Sequence, residues 1–561
     1  MKPLTHPVTL AFGLTNLFLL ALTGPFISPD RDLVYHLIGA SGPIVVPILA
    51  YIAALWLLLS VLLLLAEPTA EQPAEPATQT PAEIPEPPLS PEILPSHLRI
   101  FIWTALVLSV PWSLLYTAAG PLDWPIPTWV HLLIATAILL AALFLTARRR
   151  AVAPIFNRLQ PPIATGLGFL SITTLLIFSQ FLWAAFASRN LNPPTLLHHS
   201  NPQPVQASST HPRILWIVLD ELSYDQIYEH RFPGLSLPAF DQFATQSTSF
   251  THVIPAGEYT RAVIPALLTG VPTNHIRVSA HGDLLALHNP VDKQWRPFDP
   301  HQTVFADALA HGYRTGVAGW YNPYCRILPT VLDRCFWTYR EFTPATLSST
   351  ATTSANLFVP LHTLVQGTHY LLSLLHVATP ISPPASDAQN DLHQHTADYQ
   401  SLLTAGDQLL ADPSTDFTFL HIPVPHPSGF YDRRRHTFAS ARTSYLDNLA
   451  LADLYLAHVR QQLESTGQWD STAVLIMGDH SWRTSFVWLK SSSWTSEDDQ
   501  ASHGGQFDDR PAYLLKLPHQ HQPTRIDDPF DAVRTRALLD ALLTGTLQTP
   551  ADLTRWSQST Q

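Results

Sequence analysis

Charge is scarce in this 561-residue chain: only 13% of residues are Asp, Glu, Lys or Arg, and they are thin over the first 190 residues and ordinary in frequency after about His211. A chain of this length exceeds one hydrophobic core, so the composition divides it into a lipid-facing first third and a globular remainder. Positive charge is scarcer still. The formal net charge of −12 argues against nucleic acid as a partner, because affinity for a polyanion comes mostly from Lys and Arg releasing counterions. Cysteine is nearly absent. Two residues, Cys325 and Cys335, exclude a disulfide scaffold, and their spacing is not that of a metal site. Their closeness permits one loop-closing disulfide; two unpaired buried thiols is the other reading.

Long apolar runs, in contrast, are plentiful. Five, near 8–28, 43–66, 98–118, 127–147 and 163–187, approach or exceed the roughly 20 helical residues that cross a bilayer. The first is followed by a second apolar run, so it reads as an anchor and not as a signal peptide. Arg148, Arg149, Arg150 and Arg158 mark the fourth loop as cytoplasmic. Five spans then put Met1 inside and everything after Ala187 outside a bacterial-type plasma or inner membrane. A Pro/Glu-rich stretch at 67–97 reads as a solvated cytoplasmic linker, and a second Pro-rich stretch at 191–212 separates a bundle at 1–190 from a domain at 213–561.

That domain alternates short apolar runs with helical stretches, the pattern of an α/β fold with a largely parallel sheet. ILWIVL at 214–219, YRTGVAGW at 313–320, FTFLHIPV at 417–424 and STAVLIMG at 471–478 are expected strands. TSYLDNLALADLYLAHVRQQLESTG supplies a crossover helix. Ligand sites in such sheets lie beyond the carboxyl ends of the strands. Two strands end on suitable residues, Asp220–Glu221 and Asp479–His480. Either acidic group alone could merely cap a helix; two strand ends that both offer metal donors favour a metal site.

The order WIVLDELSYD, LPAFDQFATQSTSFTHVIPAGEYTRAVIPALLTGV, LHIPVPHPSGFYD, YLDNLALADLYLAHVRQQL, AVLIMGDHSWR and SHGGQFDDRPAYLLKLP, over roughly 213–520, resembles the alkaline phosphatase/sulfatase superfamily. It is most similar to the membrane-anchored branch with phosphoethanolamine transferases and lipoteichoic acid synthases. The resemblance implies an N-terminal α-helical transmembrane bundle followed by an α/β alkaline phosphatase-like (sulfatase-like) domain with a central, largely parallel sheet. It also implies a divalent metal, zinc or manganese by the chemistry of these donors, on Asp479, His480 and one or both of Asp220 and Glu221, with Thr260 as nucleophile. A metal or base is what makes a hydroxyl nucleophilic near neutral pH.

By the same resemblance His426 and His503 contact substrate or serve the leaving group, with a structural role as the other reading of each. His421 is expected to be structural. Arg261 and Arg483 are candidates for binding substrate oxygens, or else ordinary salt-bridge residues. The pattern departs from the family in two places. Formylglycine sulfatases mature a Cys or Ser in Cys/Ser-X-Pro-X-Arg, whereas this chain reads Tyr259-Thr260-Arg261-Ala262-Val263-Ile264-Pro265, so no formylglycine can form and threonine favours a phospho-threonine intermediate. The Asp-Glu pair also differs from the two Asp common in sulfatases.

The expected function is transfer of a phosphoryl-linked head group, of the phosphoethanolamine or phosphoglycerol type, from a membrane lipid to a glycan or lipid acceptor. Hydrolysis of a phosphodiester or sulfuric ester by the same fold is the alternative, and a non-catalytic envelope scaffold is the third reading. The segment 354–377 is apolar but interrupted by His, Gln and Gly. It is expected either on the bilayer surface or buried in the domain.

Overall fold

The computed structural model describes residues 4–28, 31–67, 96–119, 128–192, 211–339, 347–349, 351–359, 387–484, 488 and 494–559. Most of the two Pro-rich stretches, at 68–95 and 193–210, lies outside them. The chain forms two compact units. One holds the described residues within Met1–Pro29, Ser41–Arg189 and Thr343–Ser382; the other holds those within Asp30–Ala40, Asn190–Phe342 and Pro383–Gln561.

The first unit is helical: α1 (Pro7–Phe18), α2 (Leu20–Ile27), α4 (Gly42–Leu65), α5 (His97–Ala119), α6 (Thr128–Ala147) and α7 (Arg149–Ala187). A short α3 (Asp32–His36) falls in the second unit. Apolar side chains point outward from these helices, including Leu57, Leu65, Leu140, Phe144, Leu176 and Phe186, as a lipid-facing surface requires. The smaller inner cluster joins Leu10 and Leu14 of α1 to Leu59 and Leu63 of α4, Ile102 and Trp103 of α5, and Ala164 of α7.

Among the described residues, the expected five spans are corrected to three helices long and apolar enough to cross a membrane, Gly42–Leu65, His97–Thr117 and Arg149–Asn190, or four if a bent helix pair counts as one span. The first expected span is a pair, α1 and α2, bent by 69°; the break falls at Leu19, and Pro25 sits inside the second member. In α6 the apolar stretch that qualifies, Leu133–Ala147, is shorter than a span. Of the segment 354–377, the described residues up to Val359 belong to the helical unit. There Asn356 donates to the Pro43 carbonyl at 2.8 Å, and Tyr51 donates to the Asn356 carbonyl at 2.7 Å. Residues 360–377 of that segment lie outside the described residues.

The second unit is built on an eight-stranded sheet. Its members are β1 (Ile214–Leu219), β2 (Thr248–Phe250), β3 (Thr315–Trp320), β4 (Arg334–Thr338), β5 (Phe417–Ile422), β6 (Ala473–Gly478), β7 (Tyr513–Lys516) and β8 (Thr524–Ile526), in the order β8-β2-β7-β6-β1-β5-β3-β4. The run from β6 to β4 is parallel; β7 is antiparallel to both its neighbours. Every residue of β1, β3, β5 and β6 is buried, which is why these strands read as continuous apolar runs. Helix α8 (Thr260–Thr269) follows β2 in the chain, and α9 (Asp387–Ala411) packs on β3, β4 and β5. The expected crossover helix is α10 (Tyr445–Ser465), started by a reciprocal capping box between Ser444 and Asp447 and followed by Gly467 in the left-handed region at φ 69°. Cys325 and Cys335 form a disulfide, with Cα atoms 5.5 Å apart.

Candidate active site

Three neighbouring parallel strands stop at one level. Leu219 of β1 stands opposite Gly478 of β6 on one side and Ile422 of β5 on the other, so the residues just past β1 and β6 emerge beside each other and beside His421. Asp220, Glu221, His421, Asp479 and His480 are all buried. The backbone turns sharply at Glu221, whose φ is 63°, and its amide donates to Asp479 Oδ1 at 3.1 Å.

Thr260 reaches this cluster as the first residue of α8, at a helix end whose dipole favours anions. Its hydroxyl donates to Asp479 Oδ2 at 2.8 Å and lies 3.4 Å from Asp220 Oδ2 and 3.5 Å from His480 Nε2. Behind the helix end, Asn322 donates to the Thr260 carbonyl at 3.4 Å.

The imidazoles are oriented from their far sides. His480 Nδ1 is 3.1 Å from the Ser481 carbonyl, which can only accept, so Nδ1 carries the proton and Nε2 turns its lone pair to the cluster. Nε2 is 3.3 Å from Asp479 Oδ2 and 4.0 Å from Asp220 Oδ1. His421 Nδ1 meets the Tyr324 hydroxyl at 2.7 Å, leaving Nε2 at 3.8 Å from Asp220 Oδ2.

Three buried carboxylates, Asp220, Glu221 and Asp479, gather around one guanidinium, that of Arg483. Arg483 gives its charge to Glu221: Nε donates to Oε1 at 2.8 Å and a terminal nitrogen makes a closer contact to the same oxygen. Trp488 Nε1 donates to Glu221 at 2.9 Å. Burial, then the nearness of Asp479 and Glu221, pushes the Asp220 carboxyl well above its ordinary range. Burial, then Arg483, pushes His480 down to about 3, and burial pushes His421 down to about 4. Both rings are therefore neutral at neutral pH, the form that binds metals.

An excess of buried negative charge, two neutral imidazoles, that of His480 with its lone pair turned inward, and the buried atoms Asp220 Oδ1 and His421 Nε2 without hydrogen-bond partners together fit a divalent cation. Asp220, His421 and Asp479 offer ligand atoms within 4.8 Å of one another, as do Asp220, Glu221 and His480.

Arg261 pairs with Asp32 at 3.2 Å. His426 is wedged between Trp320 and Trp488, each ring centroid 5.2 Å away, with Nδ1 unpartnered; burial, then Arg483, pushes it well below its ordinary value. His503 is exposed, in the left-handed region at φ 51°, with its ring 5.8 Å from that of His230. The sequence reading set His421 aside as structural and did not reach Asn322 or Trp488. His421 carried a usable signal, its position one residue before the end of a buried strand.

A parallel sheet whose central strands deliver acids and imidazoles to a hydroxyl at a helix start defines the class: α/β proteins with a metal-capable centre at the carboxyl edge of the sheet. The sulfatase family profile matches residues 212–513, more than half of the chain, and the protein belongs to that family. No curated protein matches it. Among solved structures it is similar to Ps i-CgsB, with 18% identity over 61% of this chain and 74% of the other and a TM-score of 0.38. It is similar to the phosphonate monoester hydrolase of Agrobacterium radiobacter, with 16% identity, coverage of 60% and 74%, and a TM-score of 0.35. The lipoteichoic acid synthase LtaP of Listeria monocytogenes gives 12% identity, coverage of 62% and 75%, and a TM-score of 0.34.

Proposed function

We propose that the protein is a membrane-anchored, metal-dependent enzyme that moves a phosphoryl-linked head group, of the phosphoethanolamine or phosphoglycerol type, from a membrane lipid to a glycan or lipid acceptor. The observation that carries this reading is the Thr260 hydroxyl, 2.8 Å from Asp479 and at the start of a helix. In the first half-reaction Thr260 Oγ1 forms a bond to phosphorus as the bond to the lipid oxygen breaks. In the second, the acceptor oxygen forms the new bond to phosphorus as the bond to Thr260 Oγ1 breaks, and the acceptor's proton restores the Thr260 hydroxyl. Asp479 Oδ2, which accepts the Thr260 hydrogen bond, is placed to take that proton, which passes on to the departing lipid oxygen, and the start of α8 favours the anionic ester. Asp220, Asp479 and His480, with Glu221 or His421, would hold zinc or manganese, whose charge lowers the hydroxyl pKa and offsets negative charge on the ester oxygens. His426 and His503 are the candidates to serve the departing oxygen. Arg483 acts through Glu221, by holding its carboxylate, and Arg261 acts beside the nucleophile.

The same reading sets the topology. Arg148, Arg149, Arg150 and Arg158 gather at the start of α7, which puts that end in the cytoplasm and the domain beyond α7 outside. Residues 30–40 fold into that domain's unit, so the chain between them and α7's end crosses the membrane an even number of times.

The test is turnover by the full-length protein in vesicles containing lipid with an isotopically labelled head group, with and without acceptor glycan. Label on the acceptor, lost in Thr260→Ala, supports transfer; label released only to water makes the protein a hydrolase. Roughly stoichiometric metal in the wild type that falls in Asp479→Ala, measured by elemental analysis, supports the metal assignment. A metal-free, inert wild type leaves the scaffold reading.

A further inference from the structure

A short segment from near the start of the sequence, within Asp30–Ala40, belongs to the α/β unit. Tyr35 of α3 is fully buried in that unit's core. Its hydroxyl donates to Asn322 Oδ1 at 2.8 Å, and Asn322, itself fully buried, donates from Nδ2 to the Thr260 carbonyl. A line of two hydrogen bonds thus runs from Tyr35 to the backbone of the nucleophile. Asp32 of the same short helix pairs with Arg261, the next residue along α8.

Arg326 donates to the carbonyls of Val34, at 3.2 Å, and Tyr35, at 3.0 Å, and makes a closer contact to that of Leu37. Arg326 is the neighbour of Cys325, one end of the disulfide. Gly282 has φ 77°, and a Cβ there would stand 2.8 Å from the Val34 carbonyl, so glycine both allows the turn and leaves room for the loop. His36 packs edge-on to Tyr321 at 4.7 Å between ring centroids, one residue from Asn322.

We propose that Tyr35 is a positioning residue of this active site: through Asn322 it fixes the first turn of α8 and hence the Thr260 hydroxyl, so that the loop of residues 31–37 completes the site. The role of Thr260 in this statement rests on the reading above. Tyr35→Phe keeps the packing and deletes only the hydroxyl, removing the 2.8 Å bond that Asn322 Oδ1 accepts and loosening the hold on its amide. A misplacement of the attacking atom by a fraction of an ångström lowers the chemical step while substrate binding is retained.

The experiment compares full-length wild type, Tyr35→Phe, Asn322→Ala and the double variant. Turnover of the labelled lipid in Tyr35→Phe is expected to show kcat reduced about tenfold, with KM and bound metal unchanged. The double variant is expected to fall no further than Asn322→Ala, since both act on one line of bonds. Amide hydrogen exchange over residues 260–264, which needs no activity, is expected to quicken in Tyr35→Phe at an unchanged melting temperature. Wild-type exchange at these amides in Tyr35→Phe overturns the proposal, whether or not the wild type turns over. So do unchanged kcat or losses that multiply in the double variant. An inert wild type with quickened exchange in Tyr35→Phe overturns only the catalytic reading of Thr260 and leaves the positioning intact.

Discussion

Glu221 shows how a single side chain can be committed before any ligand arrives. Its backbone is left-handed, and its carboxylate takes donors from both Arg483 and Trp488. Buried pairs of this kind add little net stability while both partners remain, yet losing one leaves an uncompensated charge in the interior. Arg483→Met should therefore cost on the order of 3–5 kcal/mol in metal-free protein, whereas Arg483→Met with Glu221→Gln should cost clearly less. Urea unfolding followed by tryptophan fluorescence checks the ordering; a double variant as unstable as the single one would mean that Arg483 stabilises the fold by some route other than Glu221. The same residues show what the sequence could and could not tell. Asp220, Glu221, Asp479 and His480 were legible because they directly follow apolar strands. Trp488, Asn322 and the involvement of His421 were not, since each depends on which strands lie side by side and in what register.

At the scale of elements, α10 carries a buried acid that is not part of that cluster. Asp453 is 3% exposed and accepts from the Phe240 amide at 2.9 Å, near the start of the helix Pro238–Ala244. Burial pushes its carboxyl up to about 6, against the opposing pull of the Phe240 and Ala239 amides. A folded-state value above the unfolded one means that the protonated form favours folding. That contribution is full below about pH 4 and is lost as pH rises through 6. Asp453→Asn keeps the accepting oxygen without the charge, so it should leave stability near wild type at pH 4 and raise it by on the order of 2 kcal/mol at pH 8. Unfolding midpoints at the two pH values decide it, and an equal shift at both would assign the effect to packing. Hydropathy found β1, β3, β5, β6 and α10, whose apolar patterns have one physical meaning. It missed the bend between α1 and α2, because a sum of apolarity over 8–28 does not register a break at Leu19 or a proline at 25.

For the whole molecule, the burial of Tyr35 turns a matter of chain connectivity into a constraint on topology. A segment between α2 and α4 shares a core with residues after α7, so on the proposed membrane-anchored reading both would lie on one face of the membrane, and the disulfide in that core suits an oxidising, extracytoplasmic face. Single cysteines introduced at Arg149 and at Leu191, in a background with Cys325 and Cys335 replaced by alanine, should then label oppositely with a membrane-impermeant maleimide in intact cells: position 191 modified and position 149 protected until the membrane is opened. The same constraint bears on dissecting the protein. A chain begun at about residue 205 lacks Tyr35 and leaves Arg326 facing carbonyls that are no longer there, so the severed domain should unfold at lower denaturant than the same unit within the full-length protein. Supplying residues 30–40 ahead of it through a flexible linker should restore much of the difference. If the severed domain is as stable as the intact one and gains nothing from the added segment, the loop is a passenger on the domain surface, and the even count of crossings loses its support.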